Sequence, residues 1–142
     1  MPGVTGGYLA SVTDSSDATV EAVGKVTEAL EFVERARGHL YSFHQLMGHA
    51  DLLLGDACDA LREAGSAAVA ERLETDVVGR NVLFGRWTFQ VVEEFDDSYW
   101  SVLREHERRV RDELSGGARH VHEARMKEHR RTHGRSGHEA RP

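Results

Sequence analysis

The residues of this chain best suited to chemistry are histidines and carboxylates set among apolar positions. Arg37, His44 and Asp51 stand seven residues apart, which on an α-helix places them in one column. That column borders an apolar face containing Leu40 and Met47. Further along, His106 falls between Tyr99, Val102 and Val110, with Asp96 near the edge of the same face. Imidazole and carboxylate groups projecting inward from two helices are how bundles build metal sites. His44, Asp51, Asp96 and His106 are therefore candidate ligands for a divalent metal (Zn, Fe or Mn), held by nitrogen and oxygen donors. The competing reading is structural. Seven residues separate His44 from Asp51 by about 10 Å along an axis rising 1.5 Å per residue, whereas adjacent ligands on one helix stand three or four apart. The same groups can pair across a helix seam with Arg37, as polar layers that set register.

Two other groupings carry chemistry. Arg80, Asn81 and Arg86 gather around Gly79 and Gly85, with Trp87 beside them; two arginines and nearby backbone amides on a loop held by a rigid bundle make an anion-binding loop. The glycines also serve as helix stops, and the arginines also answer Glu93, Glu94, Asp96 and Asp97. In the tail, His129 and His133 form an i,i+4 pair that would chelate a divalent cation, with His120 and His122 nearby. Ordering a solvated segment costs entropy and weakens such a site. Arg119, Arg125, Lys127, Arg130 and Arg131 form a basic stripe for an acidic partner, or for folding back onto the chain itself. No stacking aromatics accompany it, so nucleic acid is disfavoured except through this tail. The acidic run Glu93–Asp97 suits the positive end of a helix dipole. No Ser, Cys or Lys nucleophile stands at a suggestive spacing, which leans the chain away from catalysis.

The elements that position these groups are helical. Val26, Leu30, Val33, Leu40, Met47, Leu54 and Leu61 recur at three, four and seven, flanked by Ala29, Phe32, Ala36, Phe43, Ala50, Ala57 and Ala64. This predicts one long amphipathic helix over about 18–64, roughly 70 Å at 1.5 Å per residue. Its phase does not change across Gly38, where a kink would otherwise divide it. Ser15, Ser16 and Asp17 offer N-caps, and Gly65 a C-cap. A short helix over 67–78 follows. The linker 79–86, with Val82, Leu83 and Phe84 between turn residues, is expected to fold onto the bundle. A second long helix over 87–114 presents Val92, Phe95, Tyr99, Val102, Leu103, Val110 and Leu114, with Trp100 to one side. Residues 118–133 have helical propensity but only Val121, Ala124 and Met126 to bury, so a weakly docked or mobile C-terminal helix is expected, with disorder from Gly134. The fold class is all-α, an antiparallel helical bundle. Its organisation reads as a flexible segment over 1–16, a bundle domain over 17–116 and a basic, His-rich tail over 117–142.

Charge divides the same way. The 142 residues carry a net charge of −6, which splits into −10 over 1–116 and +4 over 117–142, where five of the nine histidines lie. An acidic body repels nucleic acid. Nowhere do eighteen apolar residues follow one another, and no basic start precedes an apolar run, so neither a membrane span nor a secretory leader is expected. A lone Cys58 excludes an internal disulfide, reads as a small buried hydrophobe and points to a reducing, cytoplasmic compartment.

In architecture the chain resembles ferritin-like carboxylate proteins and hemerythrin-like bundles. Those rest on Glu-x-x-His, or on His-x-x-x-Glu and His-x-x-x-His, and the body of this chain contains none of these. His39, His44 and His49 step by five, which spreads them around the helix. The resemblance implies an architecture and no function. What the sequence supports is a non-catalytic helical interaction protein of unknown partner. An apolar face longer than its intramolecular cover predicts a homodimer. The alternative is a metal-binding bundle built on the four inward residues.

Overall fold

The structure is a computed structural model that describes residues 16–141. The expectation of a flexible segment over 1–16 therefore lies, but for Ser16, outside the described residues. Among these the chain is all-α, with no strand beyond a single bridge between Leu83 and Arg86. Helix α1 runs Asp17–Glu63, α2 Ala67–Asp76, α3 Thr88–Phe95, α4 Ser101–Leu114 and α5 Val121–Arg130. A π-helical turn, Asp96–Trp100, joins α3 to α4 without interrupting the helix.

Helix α1 forms as its pattern dictates. Ser16 caps it, its Oγ accepting from the Thr19 amide at 3.1 Å. No proline interrupts it, and it passes through Gly38 without a break. It ends at Gly65, whose φ of +85° lets the Ser66 amide reach back to the Leu61 carbonyl at 2.8 Å and the Gly65 amide to that of Arg62 at 3.0 Å. These two bonds close the helix and satisfy carbonyls left without an intrahelical partner. Residues drawn inward along α1 include Val23, Val26, Leu30, Val33, Arg37, Leu40, His44, Met47, Asp51, Leu54, Cys58 and Leu61. Their alternating spacing of three and four is the narrow seam of a coiled-coil contact, not a broad globular face.

The chain divides into two compact units. Among the described residues, one comprises 16–33 together with 101–141; the other is Glu34–Trp100.

In the first unit Val20, Val23 and Val121 are buried. Val121 opens α5 and sits among Val20, Val23, Gly24 and Thr27 of α1, so a single valine docks a helix that has little else apolar. Arg125 of α5 adds an ion pair to Asp17 at 3.0 Å. Helix α5 ends at Arg130, short of the expected 133, and the chain then turns back on Arg131, whose guanidinium donates to the His138 carbonyl at 3.2 Å. The segment after Gly134, expected to be disordered, is described here with turns of its own.

In the second unit α1 is met by a chain running the other way. Cys58 and Ala70 are both fully buried, Arg62 pairs with Glu74, and Val92 is buried further along. Between α2 and α3 the linker makes a tight turn at Phe84-Gly85, closed by reciprocal 3.1 Å bonds between Leu83 and Arg86. Gly85 has a φ of +69°, which such a turn requires. The turn holds Phe84 fully in solvent and Leu83 half out. Of the three apolar linker residues expected to fold inward, only Val82 does so.

The π-turn has the largest consequence for what is buried. A π-helical turn adds one residue to the helix and shifts every later side chain around its axis. Before it, Val92 and Phe95 face inward as their spacing predicts. After it, the inward residues include Trp100, Leu103, Glu107, Arg111 and Ser115. Of the residues expected on that face, Leu103 and Val110 are half-buried, while Tyr99, Val102, His106 and Leu114 are exposed. The face is displaced by one position.

Candidate functional site

The column on α1 is the most organised polar feature of the second unit, and each of its members is met by a different residue of the returning chain. Arg37 donates from Nε to Asp96 Oδ1 at 2.7 Å and from Nη2 to Oδ2 at 3.1 Å, the two-pronged geometry that a guanidinium favours. Tyr41, one turn on, donates to the same Oδ2 at 2.8 Å. The guanidinium carbon lies 3.9 Å from the centre of the Trp100 ring and 5.1 Å from that of Tyr41, within cation–π range of both. The Trp100 indole N–H in turn donates to Glu34. Charge and hydrogen bonds reinforce each other here. The bonds from Arg37, then from Tyr41, hold the Asp96 carboxyl below its ordinary range against the opposing effect of burial. The carboxylate raises the pKa values of Arg37 and of the Tyr41 phenol.

One heptad on, His44 Nδ1 lies 2.8 Å from the hydroxyl of buried Thr88, the first residue of α3. The Gln90 side chain accepts from the Trp87 amide at 2.8 Å, which fixes the start of that helix and with it Thr88. A further heptad on, Asp51 Oδ1 accepts from the Gly79 amide at 2.8 Å. Gly79 adopts a φ of +73°, and Asp51 holds the chain where it leaves α2. Cys58 ends the column, its thiol 3.6 Å from the Ala70 carbonyl.

The four candidate metal ligands are thus spread over separate contacts. Asp96 is taken by Arg37 and Tyr41, His44 by Thr88, and Asp51 by a backbone amide. His106 belongs to the other unit and is exposed. Among the described residues no three His, Cys, Asp or Glu side chains are placed to hold a metal ion.

The anion-binding trio is also divided. Arg86 pairs with Glu94, as its acidic neighbours allowed. Arg80 and Asn81 instead line a cavity of about 240 Å³ together with Asp51 and an apolar wall that includes Met47, Leu54 and Trp87. Arg80 makes one long bond, 3.4 Å, to the Asp76 carbonyl.

In the tail, His129 and His133 do not share a helix face, because α5 stops at Arg130 and Arg131 turns to an extended conformation. Glu128 draws the chain round instead. It binds Arg131 through two bonds of 2.6 and 3.0 Å and lies 2.8 Å from His133 Nε2. Those contacts, Arg131 first, bring the Glu128 carboxyl down to about 2. Arg130 is exposed at the helix end, and His129 lines a groove in the first unit with His122, Glu21 and Glu28.

Sequence reasoning missed one buried ionic cluster. Glu107 Oε1 accepts from Arg111 Nε at 2.7 Å and from Thr27 Oγ1 at 3.1 Å, and Arg111 Nη1 donates to the Gly117 carbonyl at 3.2 Å. The only signal was a Glu four residues before an Arg, a spacing common on solvated helices. The π-turn that buries the pair leaves no such signature.

No protein-family model, no curated protein and no solved structure matches this chain. No helix among the described residues is long and apolar enough to cross a membrane.

Proposed function

We propose that the chain is a non-catalytic helical interaction protein that pairs with a second copy of itself through the outer face of α1. The supporting observation is a second seam. Ala36, His39, Phe43, Leu46, Ala50, Leu53, Ala57 and Ala60 repeat the alternating three-and-four spacing, each one position before a residue of the inner seam. One position is about 100° around the helix, so the two seams are distinct faces. The inner seam is covered by its own chain. On the outer one Phe43 is 39%, Leu46 68% and Leu53 61% exposed. An exposed apolar row with coiled-coil spacing is what a partner helix buries.

Charge beside the row favours a second copy in antiparallel orientation. Arg35 lies at one end and Asp56 at the other, with Ser42 and His49 between. Antiparallel pairing sets the basic end of each helix against the acidic end of the other, whereas parallel pairing would set like against like. With the two-fold axis between His44 and Gln45, Ala36 meets Leu53 of the second copy, His39 meets Ala50 and Phe43 meets Leu46. Small side chains then face large ones in the two outer layers. A buried thiol at Cys58 and no internal disulfide fit a reducing, cytoplasmic setting for this reading.

Sedimentation equilibrium tests it. The mass should rise with concentration from one 15.8 kDa chain toward twice that value, and Leu46→Glu should hold it at one chain with unchanged helical circular dichroism. A single-chain mass at every concentration for the native sequence overturns self-association; a dimer that survives Leu46→Glu overturns the assigned face.

A further inference from the structure

We propose that the cavity between α1 and the 77–87 segment of the second unit binds a small zwitterion with an apolar body, of the α-amino acid class. Its volume of about 240 Å³ corresponds to about eight waters at ~30 Å³ each, room for one aromatic or branched aliphatic amino acid. Most of the wall is apolar: Met47 and Leu54 from α1, with Val77, Val82 and Trp87 from the returning chain. Trp87 and Val82 are half-buried, while the neighbouring turn carries Phe84 outward, so the loop is not collapsed onto this wall.

The polar groups on the wall are few and of opposite charge. Asp51 spends Oδ1 on the Gly79 amide, a bond that fixes the carboxylate, while Oδ2 keeps its lone pairs for a ligand. Arg80 commits one N–H to a 3.4 Å bond and retains the rest of its donors, with the Asn81 amide adjacent. A simple anion here would meet Asp51, and a simple cation would meet Arg80. A molecule carrying an ammonium and a carboxylate on neighbouring atoms satisfies both, with its side chain against the apolar wall. This is the pattern of a small-molecule site, apolar walls with a few convergent polar groups, though its volume falls just below the usual size range.

The probe is L-phenylalanine, with phenylacetate and phenethylamine as its anion-only and cation-only counterparts. Titrations are followed by the amide resonances of Gly79 and Arg80 and the indole N–H of Trp87 in ¹⁵N-labelled protein. L-phenylalanine should shift all three saturably, and each counterpart should bind on the order of tenfold more weakly, having lost a charge-assisted hydrogen bond. Arg80→Ala, at an exposed side chain, should leave the spectrum folded and erase the preference for L-phenylalanine over phenethylamine. No shift at millimolar L-phenylalanine, or equal binding of either counterpart, overturns the proposal. Ala50 borders both this cavity and the outer seam of α1, so the titration is repeated in the Leu46→Glu chain. Binding there, whatever the oligomeric state, separates the fate of this site from that of the dimer.

Discussion

Arg37 shows how much a single side chain can organise. Its fork engages both oxygens of Asp96 while its flat face stacks on Trp100, and lysine can do neither. Arg37→Lys should therefore destabilise the chain by about 1–2 kcal/mol despite conserving charge, a loss read from chemical denaturation. The pH dependence follows from the depressed Asp96 carboxyl. A carboxylate held below its ordinary 3.8 contributes stability that is fully present above that value and is lost as pH falls through the lower folded-state value. The difference in stability between the native chain and Asp96→Asn should be constant near neutrality and shrink in acid below about pH 4; a gap unchanged down to pH 2 would contradict the pairing. Glu128 titrates in the same direction, but its side chain is 52% exposed, and solvent screening leaves it little weight. The buried Glu107–Arg111 pair behaves differently. Arg111→Met, leaving Glu107 buried without its partner, should cost about 3 kcal/mol, whereas replacing both residues with apolar ones should recover much of that loss. Equal losses in the single and double variants would place the effect in packing and not in charge.

At the scale of elements, the π-turn decides more than any helix boundary does. Deleting Ser98 removes the added residue, so the turn should become an ordinary α-turn with the later side chains kept on their present faces. Glu107 and Arg111 would stay inward and Thr27 would keep its acceptor. The deletion should therefore leave the melting temperature nearly unchanged. A sharp fall would mean that the turn itself, and not only the face it sets, is needed. Helix α1 was legible in advance because an uninterrupted three-and-four spacing with no proline over 47 residues admits little else. The face of α4 was not, because a one-residue insertion in helix phase depends on the energy of what it buries, and local propensity carries no mark of it. Helix α5 was legible as a helix, but its docking rests on Val121 and the Arg125–Asp17 ion pair and its end on Glu128, none of which a pattern of apolar residues weighs.

For the whole molecule, the buried apolar side chains are few and mostly small: Val20, Val23, Cys58, Ala70, Val92 and Val121 among the described residues. Small buried side chains remove little area from water, so covering the outer row of α1 by a second copy would add materially to stability. The melting temperature should then rise with protein concentration through mass action, and Leu46→Glu should abolish that dependence. By itself the sequence determined the long helix, its stops at Gly65 and Gly79, and the column of Arg37, His44 and Asp51, since each follows from spacing and local backbone sterics. Only the tertiary structure decided what that column does. Its members meet Asp96, Thr88 and Gly79 one by one, because the returning chain presents a different partner at each heptad, and partner identity across a seam is a property of two segments that no single segment encodes.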